Sequence, residues 1–180
     1  MDTAEKMEVT VPQANDVDKI LDLPLAVAEG INTKNSIIRR YDFDGRQADY
    51  YLEAGEILGL VERESGMYLL TDDGTEYQGM NSNQRRMMVA SKMVAVPIIS
   101  IILGKLVTSD RKTLMKADVE LVIRKYTDIR GTTIRRRANC VIKWLQWLGD
   151  QTGLLSVESK SIRLKVGDHS QQLIVSDFKA

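Results

Sequence analysis

The chain has 180 residues, of which 43% are hydrophobic, so it can form a packed core and is not disordered as a whole. This length suits one domain or two small ones. A single cysteine, Cys140, and a single histidine, His169, exclude a disulfide framework and a zinc site of several such ligands, and they leave little for a histidine-based triad. We therefore expect no metal, no cofactor and no catalytic residue.

The formal net charge of zero conceals a strong asymmetry along the chain. Residues 1–80 contain 7 Lys+Arg and 17 Asp+Glu, whereas residues 81–180 contain 18 Lys+Arg and 8 Asp+Glu. The first half therefore carries a net charge of −10 and the second half +10. A basic half is suited to a polyanion such as nucleic acid. The acidic half serves another purpose, such as attraction to the basic half or to a second copy.

The N-terminal sequence is polar and acidic and does not resemble a signal peptide. The longest apolar run, residues 93–103, is broken by Pro97 and Ser100 and is shorter than the about 20 residues of a membrane span. We expect a cytoplasmic, nucleoid-associated protein with no membrane partner.

The first half begins with a polar, aperiodic segment, residues 1–14, which indicates a flexible arm. Pro24 is expected to bend or divide the helix that follows. Thr33 and Asp44 are favourable N-caps for two further helices, and Ser65-Gly66 is a typical hairpin turn. The predicted elements are helices over 16–28, 33–41 and 45–58 and a hairpin over 60–71.

The second half repeats this order of elements. Its predicted elements are helices over 83–96, 98–106, 114–126 and 132–148 and a hairpin over 154–166. The two helices that precede the hairpins can be aligned through Leu58-Gly59 and Leu148-Gly149, which pairs Arg46 with Arg136. Helices followed by a hairpin are the winged form of the helix-turn-helix. The prediction is a mainly α fold with small β-hairpins, arranged as two tandem winged helix-turn-helix domains over 15–80 and 81–168, with a tail over 169–180.

The helix predicted over 132–148 is amphipathic. Its apolar positions recur at steps of three and four and are Ile134, Ala138, Val141, Leu145 and Leu148. The opposite side carries Arg135, Arg136, Asn139 and Lys143. Arginine donates to guanine edges and phosphates, and asparagine pairs with adenine, so this face suits a DNA major groove. A solvated basic face, or ion pairs with the acidic half, are the alternatives.

Further residues are candidates for phosphate contacts. Thr132 and Thr133 lie where free backbone N–H groups at a helix start can bind a phosphate. Arg130 and Arg137 flank this helix start, and the second hairpin presents Lys160 and Arg163. The hairpin of the first half is acidic and is a poor phosphate binder.

Two stretches resemble known DNA-recognition modules. Residues 46–61, followed by 68–74, resemble the winged-helix module in the DNA-recognition regions of type II restriction endonucleases and other bacterial DNA-processing proteins. Residues 133–137 with 144–148 are similar to the second helix-turn-helix of such proteins, so the resemblance covers roughly residues 16–166. It implies a sequence-specific double-stranded DNA-binding chain, with a homodimer or an attached nuclease domain left open. It places specificity on Arg46, Gln47, Arg135, Arg136 and Asn139.

Two other functions compete with this interpretation. Tandem winged helices also form protein–protein scaffolds of chromosome-partition or replication assemblies, and the acidic half would suit that role. Asp150, Glu158 and Lys160 have the residue types of a metal-dependent nuclease site, but they are predicted at a helix end and a hairpin. We therefore expect any DNA-cutting domain to lie outside this chain.

Overall fold

The computed structural model describes residues 9–165. The first eight residues of the predicted arm, the last residues of the predicted second domain, the tail over 169–180 and His169 lie outside the described residues. The fold is mainly helical with two small antiparallel sheets, which confirms the predicted class. The elements are α1 (Val17–Ala28), α2 (Lys34–Tyr41), α3 (Gly45–Ile57), β1 (Val61–Glu64), β2 (Met67–Leu70), α4 (Asp72–Gly79), α5 (Ser82–Ala95), α6 (Pro97–Thr108), β3 (Thr113–Met115), α7 (Lys116–Tyr126), α8 (Thr132–Thr152), β4 (Leu155–Val157) and β5 (Ser161–Leu164).

Local signals determine several helix boundaries. Thr33 and Asp44 are N-caps as predicted, and each forms a reciprocal capping box with the residue three positions later. The first helix is not divided at Pro24, contrary to one of the two predicted effects, because α1 continues through Pro24 to Ala28. Pro24 itself is buried within this uninterrupted helix.

The two hairpins share one pairing register. Val61 pairs with Leu70 in the first hairpin, and Leu155 pairs with Leu164 in the second. Each second strand also pairs on its other side. Thr33 forms a single bridge to Met67, whereas β3 pairs along β5 to give the strand order β3-β5-β4. Both halves therefore follow one order of helix, short extended segment, two helices and hairpin.

Two glycines show how the halves correspond. A Cβ at Gly55 would come within 2.7 Å of the Val61 side chain, and a Cβ at Gly149 within 2.8 Å of the Leu155 carbonyl oxygen. Each glycine thus lets its helix pack closely on the first residue of the next strand. Gly149 corresponds to Gly55, so the alignment through the two Leu-Gly pairs is wrong. The helix predicted to end at 148 continues to Thr152.

Two further predictions are wrong. The helix predicted from residue 114 begins at Lys116, because Thr113–Met115 pairs with β5. The predicted flexible arm does not describe residues 9–14, since Val9, Val11 and Ala14 are buried in the core at 7%, 2% and 1% exposure. These residues belong to the same hydrophobic core as the buried side chains of both halves.

One cluster of buried side chains runs through both halves. Helix α5 contacts α1 of the first half and α8 of the second. The predicted domain boundary after residue 80 falls in the short connection between α4 and α5.

Over the described residues, no single helix is both long and apolar enough to span a membrane. Helices α5 and α6 meet that criterion by length and composition only as a pair, and they are bent by 79°.

Alkaline pH should weaken the packing of α4 on α1. The Tyr77 hydroxyl donates to the Leu21 carbonyl at 2.7 Å, and burial raises the pKa of Tyr77 to about 12. An unfolded tyrosine has a pKa of about 10, so the neutral form stabilises the fold fully below about pH 10 and less as the pH rises toward 12. We expect the free energy of unfolding of Tyr77→Phe, measured by urea titration, to fall less steeply over this range. An unchanged slope would contradict the prediction.

Candidate nucleic-acid interface

The exposed face of α8 carries a line of polar and basic side chains. Arg135, Asn139 and Lys143 are exposed at successive spacings of four, while the five predicted apolar positions are buried. The amphipathic division predicted for this helix is therefore confirmed. Residues spaced by four lie on one side of a helix, so these three side chains point away from the core together.

The N-terminus of α8 is uncapped by any side chain. Gly131 holds the cap position with φ of +61°, and the first turn contains no acidic residue. Thr132 is exposed and Thr133 half-buried. Unpaired N–H groups and the positive end of the helix dipole favour an anion at such a position.

A cavity of about 330 Å³ opens beside this helix start, between α7 and α8. Arg124 of α7 and Arg135 of α8 line it, together with Thr132 and Glu120. The sequence prediction did not include Arg124. Helical spacing places Arg124 on the side of α7 opposite Val119, Val122 and Ile123, which indicates an exposed cation but does not show that it lies beside α8.

Three predicted arginines already have partners within the protein. Arg130 donates to the carbonyls of Thr127 and Ile129, each at 3.1 Å. Arg136 is exposed, but it donates to the Tyr50 hydroxyl at 3.3 Å and lies over that ring. Arg137 is half-buried and donates to the carbonyl of Val11. The basic run thus divides into an outward part and a part that holds the fold together.

The predicted residues of the first half stand in a different setting. Arg46 and Gln47 are exposed in the first turn of α3, and the Gln47 side chain accepts from the Asp44 backbone in the capping box. Further along α3, Asp49 pairs with Lys34 at 2.7 Å, and Glu53 accepts from Gln13. The carboxylates of α3 would repel a phosphate backbone, whereas the exposed line of Arg135, Asn139 and Lys143 on α8 would attract it.

The second hairpin presents cations to solvent. Arg163 is exposed on β5, the central strand of its sheet, and Lys160 is exposed in the turn before it. A hairpin with exposed cations can lie along a phosphate backbone.

The acidic and nucleophilic residues do not form a metal or nucleophile site in the part of the chain that the structure describes. No group of three or more His, Cys, Asp or Glu side chains is placed to hold a metal ion within residues 9–165. Asp150, Glu158 and Lys160 are each exposed. Cys140 is 4% exposed, and burial raises the pKa of its thiol to about 12, so it is a protonated donor and not a nucleophile.

The chain belongs to a protein family described as a domain of unknown function, DUF7226, whose model matches residues 19–153. The match begins in α1 and ends directly after α8, so it includes the helices of both halves. No curated protein and no solved structure matches the chain.

Proposed function

We propose that this chain binds double-stranded DNA through two tandem winged helix-turn-helix units, of which the second reads the sequence. The observation that carries the proposal is the exposed line of Arg135, Asn139 and Lys143 on α8. That helix directly precedes the hairpin of a sheet ordered β3-β5-β4. A helix in this position is the one that winged helix-turn-helix proteins insert into the major groove.

The chemistry of the line matches base recognition. Arg135 can donate two parallel hydrogen bonds to a guanine, and Asn139 can pair bidentately with an adenine. Lys143 supplies a charge for a base or a phosphate further along the groove. Each good bidentate pair discriminates against a wrong base by about 1–3 kcal/mol.

Phosphate contacts would fix the register of α8. The uncapped start of α8 offers the N–H groups of Thr132 and Thr133, with Arg124 and Arg135 beside them. Lys160 and Arg163 in the second hairpin extend these contacts along one strand. Arg46 and Gln47 in α3 provide a weaker second contact, because α3 also presents carboxylates.

The finer role that we propose is target recognition for a restriction endonuclease or a similar DNA-processing protein of bacteria. The chain itself would not cut DNA. A separate nuclease domain would supply the cutting activity, the chain could bind its site as a homodimer, and the protein would act in the cytoplasm at the nucleoid.

Selection from a randomised duplex library at two salt concentrations tests this function. We expect an enriched sequence that is lost in the Arg135→Ala/Asn139→Ala variant. If the protein retains duplexes without enriching any sequence, and this binding weakens steeply with salt, it binds phosphates nonspecifically, which would overturn base readout. Absence of retention at both salt concentrations would overturn DNA binding.

A protein–protein scaffold is the second candidate function. Two observations support it: Arg136 and Arg137 form hydrogen bonds with other parts of the same chain, and α3 has an acidic face. Charge reversal at Arg135 distinguishes the two functions, since it removes DNA binding under the first and leaves assembly with a protein partner unchanged under the second.

A further inference from the structure

The segment over residues 9–15, here called the strap, lies between α3 and α8. Its apolar side chains are buried, and its polar groups contact both helices. These two helices occupy the same position in the two halves, directly before a hairpin. The strap is therefore placed to set how one unit lies against the other.

On the α8 side, the strap accepts hydrogen bonds from successive turns. Arg137 donates to the carbonyl of Val11. The carbonyl of Ala14 accepts from the Cys140 thiol at 2.9 Å and from the Trp144 indole N–H at 2.8 Å. The N-terminal half of α8, which carries Arg135 and Asn139, is thereby fixed from behind.

On the α3 side, the strap makes polar contacts through side chains. Gln13 donates to the Glu53 carboxylate at 3.0 Å, and the Tyr51 hydroxyl donates to Asn15 at 3.5 Å. Glu53 also attracts the charge of Arg137, which links α3 to α8 across the strap. The adjacent contact of Arg136 with Tyr50 joins the same two helices.

Arg137 stands in a setting that does not suit a DNA ligand. Its guanidinium is half-buried, and burial lowers its pKa. Its Nε atom is buried without a hydrogen-bond partner in the protein, which is an unfavourable placement for a donor. The side chain is held by the fold through Nη1, which donates to the Val11 carbonyl.

We infer that Arg137 is a positioning residue that clamps α8 to the strap and orients the DNA-reading face, and that it is not itself a DNA ligand. This inference rests on the proposed DNA binding and assigns Arg137 a different role from Arg135 in the same basic run. The strap is then part of the recognition unit although it is far from α8 in the sequence.

Hydrogen exchange of the amides of residues 136–140 tests the clamp without DNA. A hydrogen bond from a charged group is strong enough that Arg137→Gln should accelerate their exchange by about tenfold or more. Arg137→Lys retains a charged donor, which the neutral glutamine amide lacks, and should restore most of the protection. Arg135→Gln is the matched control on the same helix and should exchange like the parent protein. Unchanged exchange in Arg137→Gln would overturn the clamp.

The salt dependence of binding to duplex DNA then separates positioning from direct contact. Loss of a phosphate contact lowers the slope of log K against log salt by about one unit. We expect Arg137→Gln to weaken binding with the slope unchanged, and Arg137→Lys to recover affinity. A slope reduced by about one in Arg137→Gln would overturn the inference. If the parent protein does not bind DNA at all, the proposed function fails, whereas the exchange experiment still decides the clamp.

Discussion

Gly74→Ala is expected to lower the free energy of unfolding by about 3 kcal/mol, because an added Cβ would make a shorter contact here than at any other glycine within residues 9–165. A Cβ at Gly74 would come within 2.0 Å of the Leu60 carbonyl oxygen and 3.0 Å of its carbon. The obstacle is backbone, and it is fixed, because the Leu60 carbonyl accepts from Thr71 and the Leu60 side chain is fully buried. Relief therefore requires α4 to move away from the first hairpin.

Gly79→Ala is the matched control for this substitution. Gly79 ends the same helix, has no atom within 4 Å of an added Cβ, and shows no positive φ. Alanine there should be neutral or stabilising by up to about 1 kcal/mol. Urea unfolding followed by circular dichroism measures both variants. Equal stability of the two would show that α4 adapts and would contradict the close approach.

The features that could be predicted from the sequence are those in which a few neighbouring residues determine the conformation. Thr33 and Asp44 cap helices because their side chains accept from N–H groups only two or three residues away. Ser65 and Gly66 form the turn because both adopt positive φ, at 50° and 84°, as a tight hairpin requires. The apolar stripe of α8 follows from helical periodicity alone.

The wrong predictions depend on contacts between distant residues. Thr113–Met115 is a strand because β5, far along the chain, offers its edge. Gly149 is a typical residue for a helix end, but here it lies inside α8 because Leu155 packs against it. The segment 9–14 lacks periodicity, and its burial depends on the donors of α8.

The same distinction applies to the candidate site. The exposed positions of Arg135, Asn139 and Lys143 follow from the helical wheel. The different roles of Arg136 and Arg137 do not, because they depend on Tyr50 and Val11. The three adjacent arginines are identical in the sequence, yet each faces a different part of the protein. The position of Arg124 of α7 beside Arg135 cannot be predicted from the sequence either, because it depends on how α7 packs against α8.

The other large effect concerns DNA binding itself. Replacing both Arg135 and Lys143 by glutamate should weaken binding to the selected duplex at least about a hundredfold, since each lost contact costs about 1–3 kcal/mol and each new carboxylate repels phosphate. Both side chains are exposed on α8, so the fold should tolerate the change. Fluorescence anisotropy of a labelled duplex measures the loss, and circular dichroism checks that helix content is retained.

Lys105→Glu provides a control for the effect of charge reversal outside the proposed face, although it changes the net charge by two units and the pair on α8 by four. Lys105 is an exposed residue of α6 in the same basic half, outside the proposed face. Its reversal changes the net charge but not the line on α8, so the affinity should fall only by the weak long-range effect, which salt screens. If one reversal at Lys105 weakens binding as much as the pair on α8, the DNA is held by the overall field of the basic half. Recognition by α8 would then be wrong even though DNA binding is real.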